Sequence, residues 1–134
     1  MFQAGFVFII PSGSVQDNHY TIFLNDPPPD GDALLITLTS QQLYYPTRVY
    51  EARTNLFGSS SLSKRSYLCC HRARIEPTYL LRELWNRRIF EAVGNVRPRD
   101  LHDMIMCLRE CPATEPEILR FLRSPQIDIS AFDP

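Results

Sequence analysis

A chain of 134 residues, 44% hydrophobic and 22% charged, has room for one domain with a sizeable core and not for two ordinary ones. Its formal net charge of -1 gives no global attraction to nucleic acid or to a membrane surface. The apolar start MFQAGFVFII has no basic leader and stops at Pro11, short of the roughly 18 residues a membrane span needs, so neither a signal peptide nor a span is expected.

The first half reads as β-structure. GFVFII, HYTIFL (residues 19–24) and ALLITL are rich in aromatic and β-branched residues. Between the second and third of these, NDPPPDGD cannot extend a ladder, because its three prolines lack the N–H and Gly31 supplies a turn. ALLITL is apolar on both faces, as a central strand is. TRVYEA alternates weakly, NLFGSSSLSKRS is a serine-rich loop, and SYLCCHRARIE returns to strand-forming residues. Five short strands with turn signals between them predict a small, strongly bent antiparallel barrel over about residues 3–76.

The period then changes. PTYLLRELWNRRIF sets Leu80, Leu81, Leu84 and Trp85 on one helical face, with Arg82, Glu83 and Arg87 outside. PRDLHDMIMCLREC repeats the pattern with Leu101, Met104, Ile105 and Leu108, and Pro98 suits a first turn. Thr114 and Glu117 have capping-box spacing, which predicts a third short helix. The expected fold is α+β and a single domain: the barrel, a helical part over about 77–124, and a tail over 125–134 with no clear period. Leu80, Leu84, Trp85, Ile105 and Leu108 are expected to be buried against the barrel.

Charge is unevenly spread. From Lys64 to Arg88, Lys64, Arg65, Arg72, Arg74, Arg82, Arg87 and Arg88 face only Glu76 and Glu83, a local excess suited either to phosphate or to a solvated face. The four cysteines stand as the vicinal pair Cys69–Cys70 and as Cys107 and Cys111. A vicinal pair closes its own bridge only with a distorted backbone. With no C-x-x-C pair, and with Cys70 and His71 on opposite strand faces, a zinc site is not expected. The thiols read as reduced and buried between helix and barrel, in a cytoplasmic protein without cofactor or metal.

The order of a strand with Gly5, a second strand, a third ending in LTS, Ser66 opening SYLCCHRARI, then LRELWNRRIFEAVGNVRPRDLHDMIMCL resembles the PemK/MazF-like toxins. The likeness covers roughly residues 3–110, and its sharpest elements are Thr39–Ser40, Ser66, and Gly94, Val96 and Leu101. It implies an SH3-like barrel with helices and metal-independent cleavage of single-stranded RNA. It also implies a cognate antitoxin as protein partner. A homodimer is a further expected partner, and no membrane is. Typical members open the second strand with an arginine; this chain places His19 there.

Cutting RNA without metal requires a base for the 2′-OH proton, an acid for the leaving 5′-oxygen, and donors to the charged phosphate. Imidazole is the side chain that exchanges protons nearest neutral pH, which makes His19 the acid–base candidate. Thr39 and Ser40 close a strand with hydroxyls, and Arg72 and Arg74, two apart, would clamp a phosphate from one strand face. His19, Thr39, Ser40 and Arg72 form the expected catalytic set, while Arg74 joins Lys64, Arg65, Ser66, Tyr44 and Tyr45 as RNA-binding candidates; the tyrosines would stack on bases. The competing reading is a non-catalytic SH3-like module that binds a partner protein. There, Thr39 and Ser40 are an ordinary turn start or a hydroxyl cap, and His19 is a half-buried strand histidine satisfied by a backbone carbonyl.

Overall fold

A computed structural model describes residues 2–10, 19–41, 46–58 and 61–127. Among the described residues seven strands form one antiparallel sheet: β1 Phe6–Ile9, β2 Tyr20–Phe23, β3 Asp32–Thr39, β4 Pro46–Tyr50, β5 Ser66–Cys69, β6 Arg74–Pro77 and β7 Glu91–Asn95. The helices are α1 Thr78–Asn86, α2 Pro98–Glu110 and α3 Pro116–Leu122. The class is α+β, as the sequence predicts. The sheet order β4-β5-β3-β2-β1-β7 is open, with no ladder joining β4 to β7 among the described residues.

β3 is the axis of the sheet. Its even positions Leu34, Ile36 and Leu38 join the larger core with Val7, Ile22, Leu68 and the apolar stripe of α2, Leu101, Met104, Ile105 and Leu108. Its odd positions Ala33 and Leu35 face the other layer, with Phe6, Phe8, Phe23, Phe90 and Leu81 of α1. Helices on both faces are why ALLITL shows no alternation. β3 also has two successive partners on one edge. Leu38 lies opposite Leu68 of β5, and Leu35 opposite Arg74 of β6. The extra residues on that edge are taken up by a 3-10 turn, Cys70–Arg72.

Several expectations are corrected here. The strand read through SYLCCHRARIE is broken by that turn, so Arg72 and Arg74 do not share one strand face. Beyond residue 76 the chain returns to the sheet, with β7 pairing β1. Leu80 is 37% exposed, whereas Leu81 is 3% exposed. Thr78 is fully buried, so the inward stripe of α1 runs Thr78–Leu81–Trp85 and Leu80 falls beside it. Thr114 does not form a capping box. Its hydroxyl donates back to the Leu108 carbonyl at 2.6 Å, closing α2, while Glu115 precedes α3 without a side-chain cap. Cys70 and Cys111 form a disulfide across 41 residues, in place of the reduced thiols expected. The turn takes Cys70 out of strand alternation into the core, where the end of α2 brings Cys111 to a Cα separation of 6.5 Å.

Gly5 couples β1 to the chain after β7. Its N–H donates to the Phe23 carbonyl at 2.7 Å, and its carbonyl accepts from Val96 N–H at 2.8 Å. Its φ is +94°, and a Cβ there would stand 3.0 Å from the Val96 carbonyl oxygen. Gly5→Ala is therefore expected to cost about 1–2 kcal/mol or more. Denaturant unfolding measures it, and an unchanged midpoint would contradict this account of the junction.

Helix α1 ends in a Schellman turn. Arg88 N–H donates to the Trp85 carbonyl at 2.9 Å and Ile89 N–H to the Leu84 carbonyl at 3.1 Å. The left-handed residue of such a turn is usually glycine; here it is Arg88, at φ 58°.

Candidate functional site

The register of β2 and β3 decides which predicted site residues meet. Tyr20 lies opposite Leu38 and Thr21 opposite Thr37, so the next residue out, His19, stands across from Thr39. On the other side of β3, Tyr67 is opposite Thr39, which puts Ser66 across from Ser40. His19, Thr39, Ser40, Ser66 and the approach through Lys64 and Arg65 thus share one end of the sheet. His19, Ser40, Lys64 and Arg65 are exposed there.

The hydroxyls differ in what they have left to offer. Thr39 is 2% exposed, and its Oγ1 accepts from Gln41 N–H at 3.2 Å, which makes it a turn-former. Ser66 is buried and donates to the Lys64 carbonyl at 3.0 Å. Ser40 presents the exposed hydroxyl of the set. Arg65 reaches Glu51 at 3.3 Å and lies over the Tyr67 ring at 5.7 Å from its centroid.

Arg74 meets a hydroxyl, but not that of Thr39. Its Nη1 donates to Thr37 Oγ1 at 2.9 Å, and Thr37 lies 3.2 Å from the Thr21 hydroxyl. Glu76 pairs with the same guanidinium at 3.5 Å. This buried threonine pair was missed from sequence, although the alternation in HYTIF and LLITLT places Thr21 and Thr37 on one face. Arg72, in the 3-10 turn, is half-buried. Tyr44 and Tyr45 lie outside the described residues.

A second polar cluster joins β4 to α2, with Tyr50 opposite Ser66 in the register of β4 and β5. Arg48 approaches the Cys107 thiol at 4.0 Å and Asp103 at 3.9 Å, and the thiol contact is the main reason its pKa is raised. Burial pushes the neighbouring Tyr50 phenol up, and its hydroxyl has no hydrogen-bond partner among the described residues. Among the described residues no group of three or more His, Cys, Asp or Glu side chains is placed to hold a metal ion, and no helix is long and apolar enough to cross a membrane.

Comparisons with protein-family models, with curated proteins and with solved structures find no significant match for this chain. What it does must therefore be argued from its own residues.

Proposed function

We propose that the protein is a metal-independent endoribonuclease acting on single-stranded RNA, as the resemblance to PemK/MazF-like toxins implies, and that a cognate antitoxin protein restrains it in the cytoplasm. The observation that carries this reading is the register setting His19 across from Thr39, with the exposed Ser40 at the same end. On this reading the bent sheet is an SH3-like barrel opened between β4 and β7. The Asn95 N–H to Phe57 carbonyl bond at 3.4 Å spans part of that gap.

Cleavage then proceeds by in-line attack of the ribose 2′-oxygen on phosphorus. The 2′-OH proton passes to a base as the P–O5′ bond breaks, and the 5′-oxygen takes a proton from an acid. His19 serves at one of these two proton transfers, with its imidazole in solvent and free of the core. Ser40 donates to a non-bridging oxygen, and Lys64 and Arg65 supply positive charge beside it. Thr39 acts by fixing the turn that presents Ser40.

One observation favours the non-catalytic module instead: the Thr39 hydroxyl is already spent on the Gln41 N–H. Incubating the purified protein with mixed-sequence RNA in EDTA separates the two. The nuclease yields fragments with 5′-hydroxyl ends at a rate unchanged by the chelator. Intact RNA after prolonged incubation with protein freed of any partner supports the module.

A further inference from the structure

The C-terminal half of α1 carries a trench that none of the expected site residues occupies. It consists of two adjoining cavities, of about 430 Å³ and about 340 Å³, which share Trp85 and Asn86. Phe2 and Arg82 line the first, and Arg88 and Phe90 line the second. An indole therefore stands between two guanidinium groups.

The indole is held rigidly. Phe2 and Phe6 meet it edge-on, at ring separations of 6.0 and 5.9 Å. The arginines are available. Arg87 pairs with Glu83 at 3.1 Å, whereas among the described residues neither Arg82 nor Arg88 has an ion-pair partner. Arg88, moreover, occupies the left-handed position where glycine would be less strained, so the chain keeps a guanidinium at a backbone cost.

The trench opens on the same layer of the sheet as the His19 end. The Phe90 ring lies tilted against Phe8 with centroids 4.2 Å apart, Phe8 lies directly opposite Thr21, and His19 is two residues further along that strand. One strand spacing and two residues of rise separate Phe8 from His19, roughly 8–9 Å. A polyanion crossing this layer meets the trench and the catalytic end in succession.

We propose that this trench is a holding site for single-stranded RNA, in which a base stacks on Trp85 while Arg82 and Arg88 take the phosphates on either side. The site rests on the nuclease reading for its biological substrate. Its chemistry is independent of cleavage, because aromatic stacking and phosphate pairing do not need the 2′-OH. Charge selects the occupant: two arginines without ion-pair partners among the described residues, next to the exposed Ile89, suit a polyanion with flat apolar rings better than a neutral peptide.

Trp85 is the sole tryptophan of the chain, so it reports its own occupancy. The test is titration of the whole protein with an uncleavable single-stranded oligodeoxynucleotide, read by Trp85 fluorescence and by anisotropy of the labelled strand. Binding is expected to quench the indole. Arg82→Gln with Arg88→Gly should weaken binding at least tenfold and flatten the log–log salt dependence by about 1.4, the slope of two phosphate contacts on a single strand. Arg88→Gly should leave the thermal midpoint unchanged or higher, since glycine relieves the left-handed position. His19→Ala should bind as the wild type does, whatever becomes of cleavage. The holding site is overturned if the oligonucleotide leaves the indole unquenched, if the double variant binds as well as wild type, or if polyglutamate quenches it and the oligonucleotide does not. Cleavage lost in His19→Ala with binding intact keeps the two readings distinct.

Discussion

On the proposed nuclease reading, His19→Ala should lower the rate of RNA cleavage by about 10²–10⁴-fold, the usual loss when one general acid–base group is removed. The size follows from what else stands at that end among the described residues. Ser40 and Ser66 offer hydroxyls, and Ser66 is already bonded to the Lys64 carbonyl. The carboxylate of Glu51 is paired with Arg65 at 3.3 Å. The fold should not suffer, because His19 is exposed and exposed substitutions usually shift stability by no more than about 0.5 kcal/mol. An unchanged melting curve beside a collapsed rate is therefore the expected pair of results. Ser40→Ala should slow cleavage less, and the double variant should be little slower than His19→Ala, since groups serving one transition state are not additive. Undiminished cleavage in His19→Ala would remove the imidazole from the mechanism even if the protein cuts RNA.

The strands that place His19 were legible because their signal is local. HYTIFL and ALLITL carry their own β propensity, and the proline-rich turn between them fixes an antiparallel neighbour. From there the meeting of residues 19 and 39 is a matter of register. The position of Arg74 was not legible. It depends on the 3-10 turn at Cys70–Arg72, which shifts β6 down β3 so that Arg74 finds Thr37 and not Thr39. Strand propensity contains no sign of such an offset.

β7 was missed for a different reason. EAVGN is largely exposed and has one β-branched residue, so it reads as a connection. It becomes an edge strand because β1 offers a free side and Gly5 lets Val96 approach closely. The trench shares this origin. It needs Phe2 from the start of the chain and Phe90 after α1 to flank Trp85, and no periodicity within α1 announces either. The sequence assigned Trp85 to the buried face, which is half of its role.

Reduction of the Cys70–Cys111 disulfide should lower the thermal midpoint by roughly 12–20 °C without unfolding the protein at room temperature. The bridge spans 41 residues, and a loop of that length constrains the unfolded chain by about 4 kcal/mol in the chain-entropy view, with about 2–5 typical for loss of a native bridge. For a domain of this size each kilocalorie corresponds to roughly 3–5 °C. The native state keeps its own reasons to hold together. Leu101, Met104, Ile105 and Leu108 still anchor α2 in the larger core, and Arg109 still donates to the Leu122 carbonyl at 3.1 Å to tie α3 to it. What reduction removes is the link between the end of α2 and the turn separating β5 from β6. Melts with and without reductant test this, beside a Cys70→Ala/Cys111→Ala variant that should match the reduced wild type and ignore reductant. Cys107, a thiol one helical turn before Cys111, serves as the internal standard for alkylation. Peptide mapping that finds Cys70 and Cys111 alkylated without prior reduction, with a midpoint indifferent to reductant, would show the bridge unformed. The junction would then rest on its apolar contacts alone.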